Sequence, residues 1–180
     1  MKLSLSGLCR LTAVLAFATH IVACDNSSDA KPIVGPVDPN EPVVEPVYSA
    51  EIVWTEYGIP HITAQDWAGL GYGYGYAYAR ENFCTLMKEV GKANGDSARY
   101  LGDEGNLEED FVYKLYNTDE YIRNQYVANA DFADVLAGFT AGMNRHLDET
   151  GVANLAEGEE GCRGEDWVRA LNDTDVAKVL

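Results

Sequence analysis

The side chains in this sequence that most clearly could take part in covalent chemistry are its four cysteines, Cys9, Cys24, Cys84 and Cys162. No two of them form a Cys-x-x-Cys pair, so their spacing gives no indication of a zinc site. Cys9 is lost with the predicted amino-terminal leader and Cys24 would be acylated, which leaves two thiols in an exported chain. One disulfide between Cys84 and Cys162 is then the only intramolecular pairing, and its long loop would contribute about 4 kcal/mol in the chain-entropy model. Two reduced, buried thiols are the alternative, which non-reducing mass analysis would reveal.

Residues 1–23 have the features of a lipoprotein signal peptide. Lys2 and Arg10 give a basic start, and the apolar run over 11–23 is long enough for a signal-peptide core but too short to span a bilayer. The run ends Ile-Val-Ala-Cys24, which resembles a bacterial lipobox, in which the cysteine thiol is diacylated and becomes the mature amino terminus. We therefore predict lipidation at Cys24. An ordinary signal peptide that ends near a cysteine is the alternative.

Residues 24–47 are predicted to form a proline-rich tether. Five of the six prolines lie here, and proline fixes φ and removes an amide donor, which excludes a helix or a central strand. An extended spacer would hold residues 48–180 away from the membrane. The predicted location is the bacterial cell envelope, on the periplasmic side or at the cell surface, with a lipid anchor.

The charge of the chain argues against several classes of partner. Asp and Glu number 29 against 13 Lys and Arg, for a net charge of -16. Loss of Lys2 and Arg10 with the leader would make the mature side chains about -18. Such a surface repels phosphate backbones and anionic lipid, so we expect no nucleic-acid binding and no electrostatic attachment to membranes.

Other chemistry-bearing side chains give no catalytic pattern. His61 and His146 lack neighbours at the spacing of a triad or a metal pair. No serine lies in a Gly-x-Ser-x-Gly or Ser-x-x-Lys pattern. Chance carboxylate pairs are plentiful among so many acids, and nothing selects two of them. The sequence therefore assigns no catalytic, cofactor-binding or metal-binding residue.

The first elements that follow the tether are predicted to be a β-hairpin and a long helix. Residues 51–57 are β-branched and aromatic, Gly58 permits a turn, and residues 60–64 supply the return strand. Asp66 is placed to cap a helix over 67–92. In this helix, Gly and Ala recur every four residues in two adjoining stripes, at 69, 73 and 77 and at 71, 75 and 79. These stripes would let another backbone approach closely.

The remaining pattern is mainly helical. Asp96 is predicted to cap a short turn over 97–101, and residues 102–110 form a solvated loop with the acidic run 108–110 on the surface. Helices follow at about 119–128 and 132–147, the second with one apolar face and a stop at Gly151. Residues 151–165 form a loop, and Asp173 or Thr174 caps a last helix. Because that helix has no stop signal before Leu180, we expect an incomplete product.

Six motifs together resemble the start of the α-chain of the penicillin acylase family. The resemblance is strongest to the branch of aculeacin A acylase and the acyl-homoserine-lactone acylases, and it covers about 130 residues. Arg80 departs from this branch, which more often has an acidic or neutral residue there. The matching stretches, in order, are TEYGIPHI (55–62), GLGYGYGYAYA (69–79), ENFC (81–84), GDSARYLG (95–102), AGMNRHL (141–147) and CRGEDWVR (162–169).

The resemblance implies an N-terminal-nucleophile hydrolase with an αββα fold when complete, of which this chain would form a mainly α part with a short N-terminal β-hairpin. In that family a precursor cuts itself into α and β chains, and the first Ser of the β-chain attacks an acyl amide, with its own α-amino group as the base. The partner would be the β-chain of the same precursor, and the substrate an acylated amide.

None of the family's catalytic residues matches a position in these 180 residues. The self-cleavage site, a small residue before Ser-Asn, is not found, and the acidic residue that binds calcium in some members is expected after Leu180. The chain alone is therefore expected to be inactive and to expose an apolar face that the β-chain covers. The alternative function is a non-catalytic, lipid-anchored interaction or binding module.

Overall fold

A computed structural model describes residues 47–126, 129–156 and 161–180. The predicted signal peptide, Cys24 and the tether up to residue 46 lie outside the described residues. Within the described part of the chain, no helix is long and apolar enough to cross a membrane. The fold is mainly helical, with one two-stranded antiparallel hairpin.

The hairpin pairs β1 (Glu51–Trp54) with β2 (Pro60–Thr63), with Ile52 opposite Ile62. It confirms the predicted strands, although β1 ends three residues earlier than expected. The turn begins at Thr55, whose carbonyl oxygen accepts a hydrogen bond from the Gly58 amide at 3.0 Å. Gly58 has a φ of +76°, which requires a residue without a β-carbon for an unstrained turn.

Helix α1 (Trp67–Ala93) is the longest element and confirms the predicted helix. Asp66 caps it as expected, since its carboxylate accepts a hydrogen bond from the Gly69 amide at 2.6 Å. The helix is kinked at Asn82, where φ is -137° and ψ is 17°. The sequence pattern gave no indication of this kink.

Helix α5 (Ala130–Thr150) packs against α1 with the two backbones in contact. A β-carbon at Gly71 or Gly75 would overlap the main chain of Val135 or Phe139 on α5. The relation is reciprocal, because a β-carbon at Gly142 would overlap the carbonyl of Tyr72 on α1. One of the predicted glycine stripes therefore receives a second helix, as the spacing indicated.

The other glycine stripe of α1 faces the hairpin. A β-carbon at Gly69 would lie 2.5 Å from the carbonyl oxygen of Ser49, and one at Gly73 would lie 2.6 Å from Ile62 Cγ2. The amino-terminal half of α1 is thus enclosed on two sides, by the α5 backbone and by the hairpin with the residues before it. This explains why residues poor in helix propensity fill a helix interior here.

Six shorter segments complete the described fold. A short helix, α2 (Ser97–Tyr100), is followed by α3 (Leu107–Tyr116) and α4 (Asp119–Tyr126), and α6 (Asp175–Val179) follows the 3₁₀ turn after α5. The predicted loop over 102–110 is wrong from residue 107 onward, because Asn106 caps α3 by accepting hydrogen bonds from the Glu108 and Glu109 amides. Acidic residues in the first turn favour a helix start. The two 3₁₀ turns span Gly102–Glu104 and Val152–Asn154.

The hydrophobic core lies beside the carboxyl-terminal half of α1, beyond the glycine-lined contact. Phe83 and Met143 are fully buried at its centre. Side chains of α5 and of the segment after it close the core, and the predicted apolar face of α5 is confirmed at Leu136, Met143 and Leu147. The fold therefore combines a backbone contact at one end of α1 with side-chain packing at the other.

We expect Gly75→Ala and Gly142→Ala each to lower the free energy of unfolding by about 1–3 kcal/mol, because the added methyl group forces α1 and α5 apart. Gly91→Ala is the matched control in α1, since a β-carbon there meets no atom within 4 Å. It should be stabilising by about 0.4–1 kcal/mol. Urea denaturation followed by circular dichroism measures both effects, and equal stabilities for the Gly75 and Gly91 variants would contradict the packing.

Candidate functional site

Helix α3 is attached to the rest of the protein by its polar residues. Asp110 is buried, and Lys114, one turn later, donates hydrogen bonds to the Asn94 carbonyl at 3.1 Å and to the Asp96 carboxylate at 3.0 Å. Asn117, just after the helix, donates to the carbonyl oxygen of Lys178 at 3.2 Å. The inward face of this helix is therefore its polar face.

Asp110 holds the amino terminus of α2. Its carboxylate accepts hydrogen bonds from the Ser97 hydroxyl at 2.7 Å, the Ser97 amide at 3.0 Å and the Ala98 amide at 2.8 Å. Burial alone would raise the pKa of Asp110, but these hydrogen bonds outweigh it and keep the pKa below its ordinary value. The predicted cap, Asp96, makes no such bond. The prediction of a surface position is also wrong for Asp110, although Glu108 and Glu109 are exposed.

The outward face of α3 is apolar. Phe111 and Leu115 are 70% and 69% exposed, one turn apart, and Tyr121 at the start of α4 is half exposed. Single exposed apolar residues are ordinary, whereas several of them on one helix are typical of interaction surfaces. We call this group the α3 face; its members are Leu107, Phe111, Val112, Leu115 and Tyr116.

A second buried carboxylate, Asp175, fixes the start of α6. It is fully buried and accepts hydrogen bonds from the Arg169 guanidinium at 2.6 and 3.0 Å, from Asn94 Nδ2 at 2.9 Å and from the Asn172 amide at 2.7 Å. Burial opposes ionisation of Asp175, yet these donors leave its pKa lowered. The carboxylate is therefore saturated by protein donors.

Lys178 ties the same helix to α4 and to the end of α1. Its ammonium group forms an ion pair with Asp119 and donates to Asn94 Oδ1 at 2.8 Å. The hydrogen bond from Lys178 is the main cause of a lowered pKa at Asp119. Thr174, one of the two predicted caps, lies at the N-cap of α6, but its side chain makes no capping hydrogen bond. Asn172 Oδ1 accepts from the Thr174 and Asp175 amides instead. We call Asn94, Asp119, Arg169, Asp175 and Lys178 the α6 cluster.

The predicted cysteine pair lies together in the structure. A disulfide joins Cys84 in α1 to Cys162 in the segment after α5, with 5.6 Å between the two Cα atoms. Both residues are buried. Cys24, the predicted lipidation site, lies outside the described residues.

The two histidines within the described residues lie on different elements and form no catalytic pair. His61 is exposed on β2, whereas His146 is half buried and packs edge-on against the Tyr76 ring. Burial, together with the Arg80 guanidinium, keeps the pKa of His146 below its ordinary value. Arg80, the departure from the family pattern, lies over the Trp54 ring at 4.2 Å, a cation–π contact that ties α1 to β1.

The described residues do not provide a metal site. They contain no group of three or more His, Cys, Asp or Glu side chains that could hold an ion. The buried carboxylates of Asp110 and Asp175 are already occupied by protein donors, so the donor set of a calcium ion is not met here. Ser97, a hydroxyl that sequence patterns left unassigned, is buried and hydrogen-bonded to Asp110. Among the described residues, the α3 face is the exposed apolar group considered further below.

Comparison with known proteins identifies relatives over most of the described chain. A family model for penicillin amidase matches residues 49–167. The acyl-homoserine lactone acylase PvdQ of Pseudomonas fluorescens is 39% identical over 138 residues, and the match covers 72% of this chain and 17% of that protein. The aculeacin-A acylase of Actinoplanes utahensis is 34% identical over 140 residues, covering 72% and 18%. The chain thus spans less than a fifth of the length of these relatives.

A solved structure has the same arrangement of elements. The thermostable penicillin G acylase from Alcaligenes faecalis superposes with a TM-score of 0.61 at 26% sequence identity. The match covers 74% of this chain and 71% of that chain.

We expect Asp110→Asn to lower the free energy of unfolding by about 2 kcal/mol at pH 7, because three hydrogen bonds to a charged acceptor are weakened. Since the folded-state pKa of Asp110 is lowered, its contribution is present above the ordinary carboxyl pKa and disappears as the pH falls through the folded-state value. The difference between wild type and variant should therefore shrink below about pH 4. Thermal unfolding from pH 7 to pH 2 measures it, with the exposed Glu108→Gln as control; a difference that is constant with pH would contradict this role.

Proposed function

This chain belongs to the penicillin amidase family, and we propose that it supplies α-chain helices of an acylase that hydrolyses a linear amide and releases its acyl chain. The observation that carries this proposal is the family match over residues 49–167. The similar proteins described above are named as acylases. The substrate class is an acyl-homoserine lactone, an acylated lipopeptide or a β-lactam with an acyl side chain.

In this proposal the bond-breaking groups belong to a β-chain of the same precursor. The first Ser of that chain attacks the amide carbonyl, its free α-amino group takes the hydroxyl proton, and water then hydrolyses the acyl-enzyme. The hydroxyl of the buried Ser97 donates its hydrogen bond to Asp110. Ser97 is therefore not placed as a nucleophile, which supports a structural role for this chain. Together the two chains would form the αββα fold, with calcium, where present, bound outside the described residues.

The α3 face is the surface proposed to meet the β-chain. Because Asp110 and Lys114 anchor the inward side of the helix, α3 cannot turn its apolar side chains toward the core without leaving a buried charge unpaired. A partner that covers Phe111 and Leu115 would remove this apolar surface from water, which stabilises the complex by roughly 25 cal/mol for each Å² buried.

A chimera tests the activity and the interface together. Residues 49–180 would replace the matching segment of the Pseudomonas fluorescens acylase, which is 39% identical. We expect the chimera to cut itself into two chains and to hydrolyse an acyl-homoserine lactone. Adding Phe111→Asp and Leu115→Asp should abolish assembly of the two chains, whereas the exposed α1 substitution Thr85→Asp should not.

Two outcomes would contradict these proposals separately. A soluble, folded chimera that neither cuts itself nor hydrolyses the substrate would contradict the acylase function and favour a non-catalytic interaction module. Full activity in the chimera that carries both aspartates would contradict the α3 face as the interface and leave the acylase function intact.

The lipid anchor at Cys24 is a further part of the proposal. It rests on the Ile-Val-Ala-Cys sequence at 21–24 and on the proline-rich segment that follows. Diacylation would place the chain on a membrane after export and leave residues 48–180 in the aqueous phase. We expect Cys24→Ser to move the chain from the membrane fraction to the soluble fraction of bacterial cells, and unchanged membrane association would contradict the anchor.

A further inference from the structure

Asn94, a member of the α6 cluster, is followed by Gly95, and the two form the Asn-Gly dipeptide of this sequence. In a flexible chain, an amide nitrogen that follows asparagine can attack the side-chain Cγ, and glycine favours this reaction because it has no β-carbon to hinder the approach. We propose that Asn94 is a latent deamidation site which the α6 cluster keeps closed in the folded protein.

Both reacting groups are held by hydrogen bonds. The Gly95 amide, the nucleophile, donates to the carbonyl oxygen of Lys92 at 2.8 Å. The Asn94 side chain, the electrophile, is fixed at both ends, since Nδ2 donates to Val90 O at 3.0 Å and to Asp175 Oδ1 at 2.9 Å. Its Oδ1 accepts from Lys178 Nζ at 2.8 Å. The ring that the reaction requires cannot close while these bonds remain.

The reaction is balanced with water as the only co-reactant. The Gly95 nitrogen loses its proton and bonds to Asn94 Cγ, and the bond from Cγ to Nδ2 breaks to release ammonia. Water then opens the succinimide to aspartate or isoaspartate. Asn94 lines a cleft of about 150 Å³, large enough to admit water. The rate of the reaction is therefore limited by local opening of the hydrogen bonds of Asn94 and Gly95, and not by the access of water.

Deamidation would weaken the attachment of α6. Asn94 Nδ2 is one of the donors to the fully buried Asp175 carboxylate. Its replacement by oxygen removes that donor and places a second negative charge beside Asp175. An isoaspartate would also lengthen the main chain just before Gly95, whose φ of +68° belongs to a tight turn.

The test follows deamidation of Asn94 by peptide mapping and mass spectrometry in the full chain, held at pH 8 and 37 °C, with the same chain unfolded in urea as reference. We expect the folded wild type to react roughly tenfold slower than the unfolded chain, or slower still. Lys178→Met and Asp175→Ala, which remove the partners at opposite ends of the Asn94 amide, should each remove most of this protection. Lys92→Met is the matched control, because its ammonium pairs with Glu89 at 2.7 Å rather than with Asn94.

Three results would overturn the inference. The first is a folded wild type that reacts as fast as the unfolded chain. The second is equal protection in the Lys178, Asp175 and Lys92 variants, each shown to be folded by circular dichroism. The third concerns the Asn94→Asp variant, which reproduces one product of the reaction. This variant should unfold at a lower temperature than wild type. An unchanged midpoint of thermal unfolding would show that Asn94 does not hold α6.

Discussion

The contact between the backbones of α1 and α5 is the constraint on which the rest of this structure depends. Gly71 and Gly75 on one helix and Gly142 on the other leave no space for side chains between the two main chains. The close approach fixes the relative position of two long helices, and their far ends then enclose the core around Phe83 and Met143. The disulfide between Cys84 and Cys162 ties the following segment to this pair.

Helices α3 and α6 are attached in part through buried carboxylates. Asp110 joins α3 to α2, and Asp175 with Lys178 joins α6 to the ends of α1 and α4. The buried Asp110 and the hydrogen bonds of Lys114 fix which side of α3 faces the protein, and Phe111 and Leu115 remain exposed on the other side. This exposed apolar side of α3 is the surface proposed above to meet a β-chain, and the named relatives of the chain are acylases.

The parts of the fold that follow local rules could be predicted from the sequence. The hairpin, the Asp66 cap, the glycine stripes and the apolar face of α5 all depend on neighbours within a few residues. Features set by distant partners could not. The acidic run at 108–110 suggested a solvent-exposed loop, because no neighbouring residue indicated that Ser97 and Ala98 would donate hydrogen bonds to Asp110. The α6 cluster draws on residues as far apart as Asn94 and Lys178. The sequence led us to expect an exposed apolar face but not its location on α3, because α3 itself was not predicted.

The outward apolar surface of α3 is the central claim, and binding of an environment-sensitive dye such as 1-anilinonaphthalene-8-sulfonate measures it most directly. The folded wild-type chain should bind the dye with a strong gain in fluorescence. A chain with Phe111→Asp and Leu115→Asp should unfold as cooperatively as wild type but lose most of that gain, because the dye needs contiguous apolar surface. A cooperatively folded wild type that binds no dye would contradict the account.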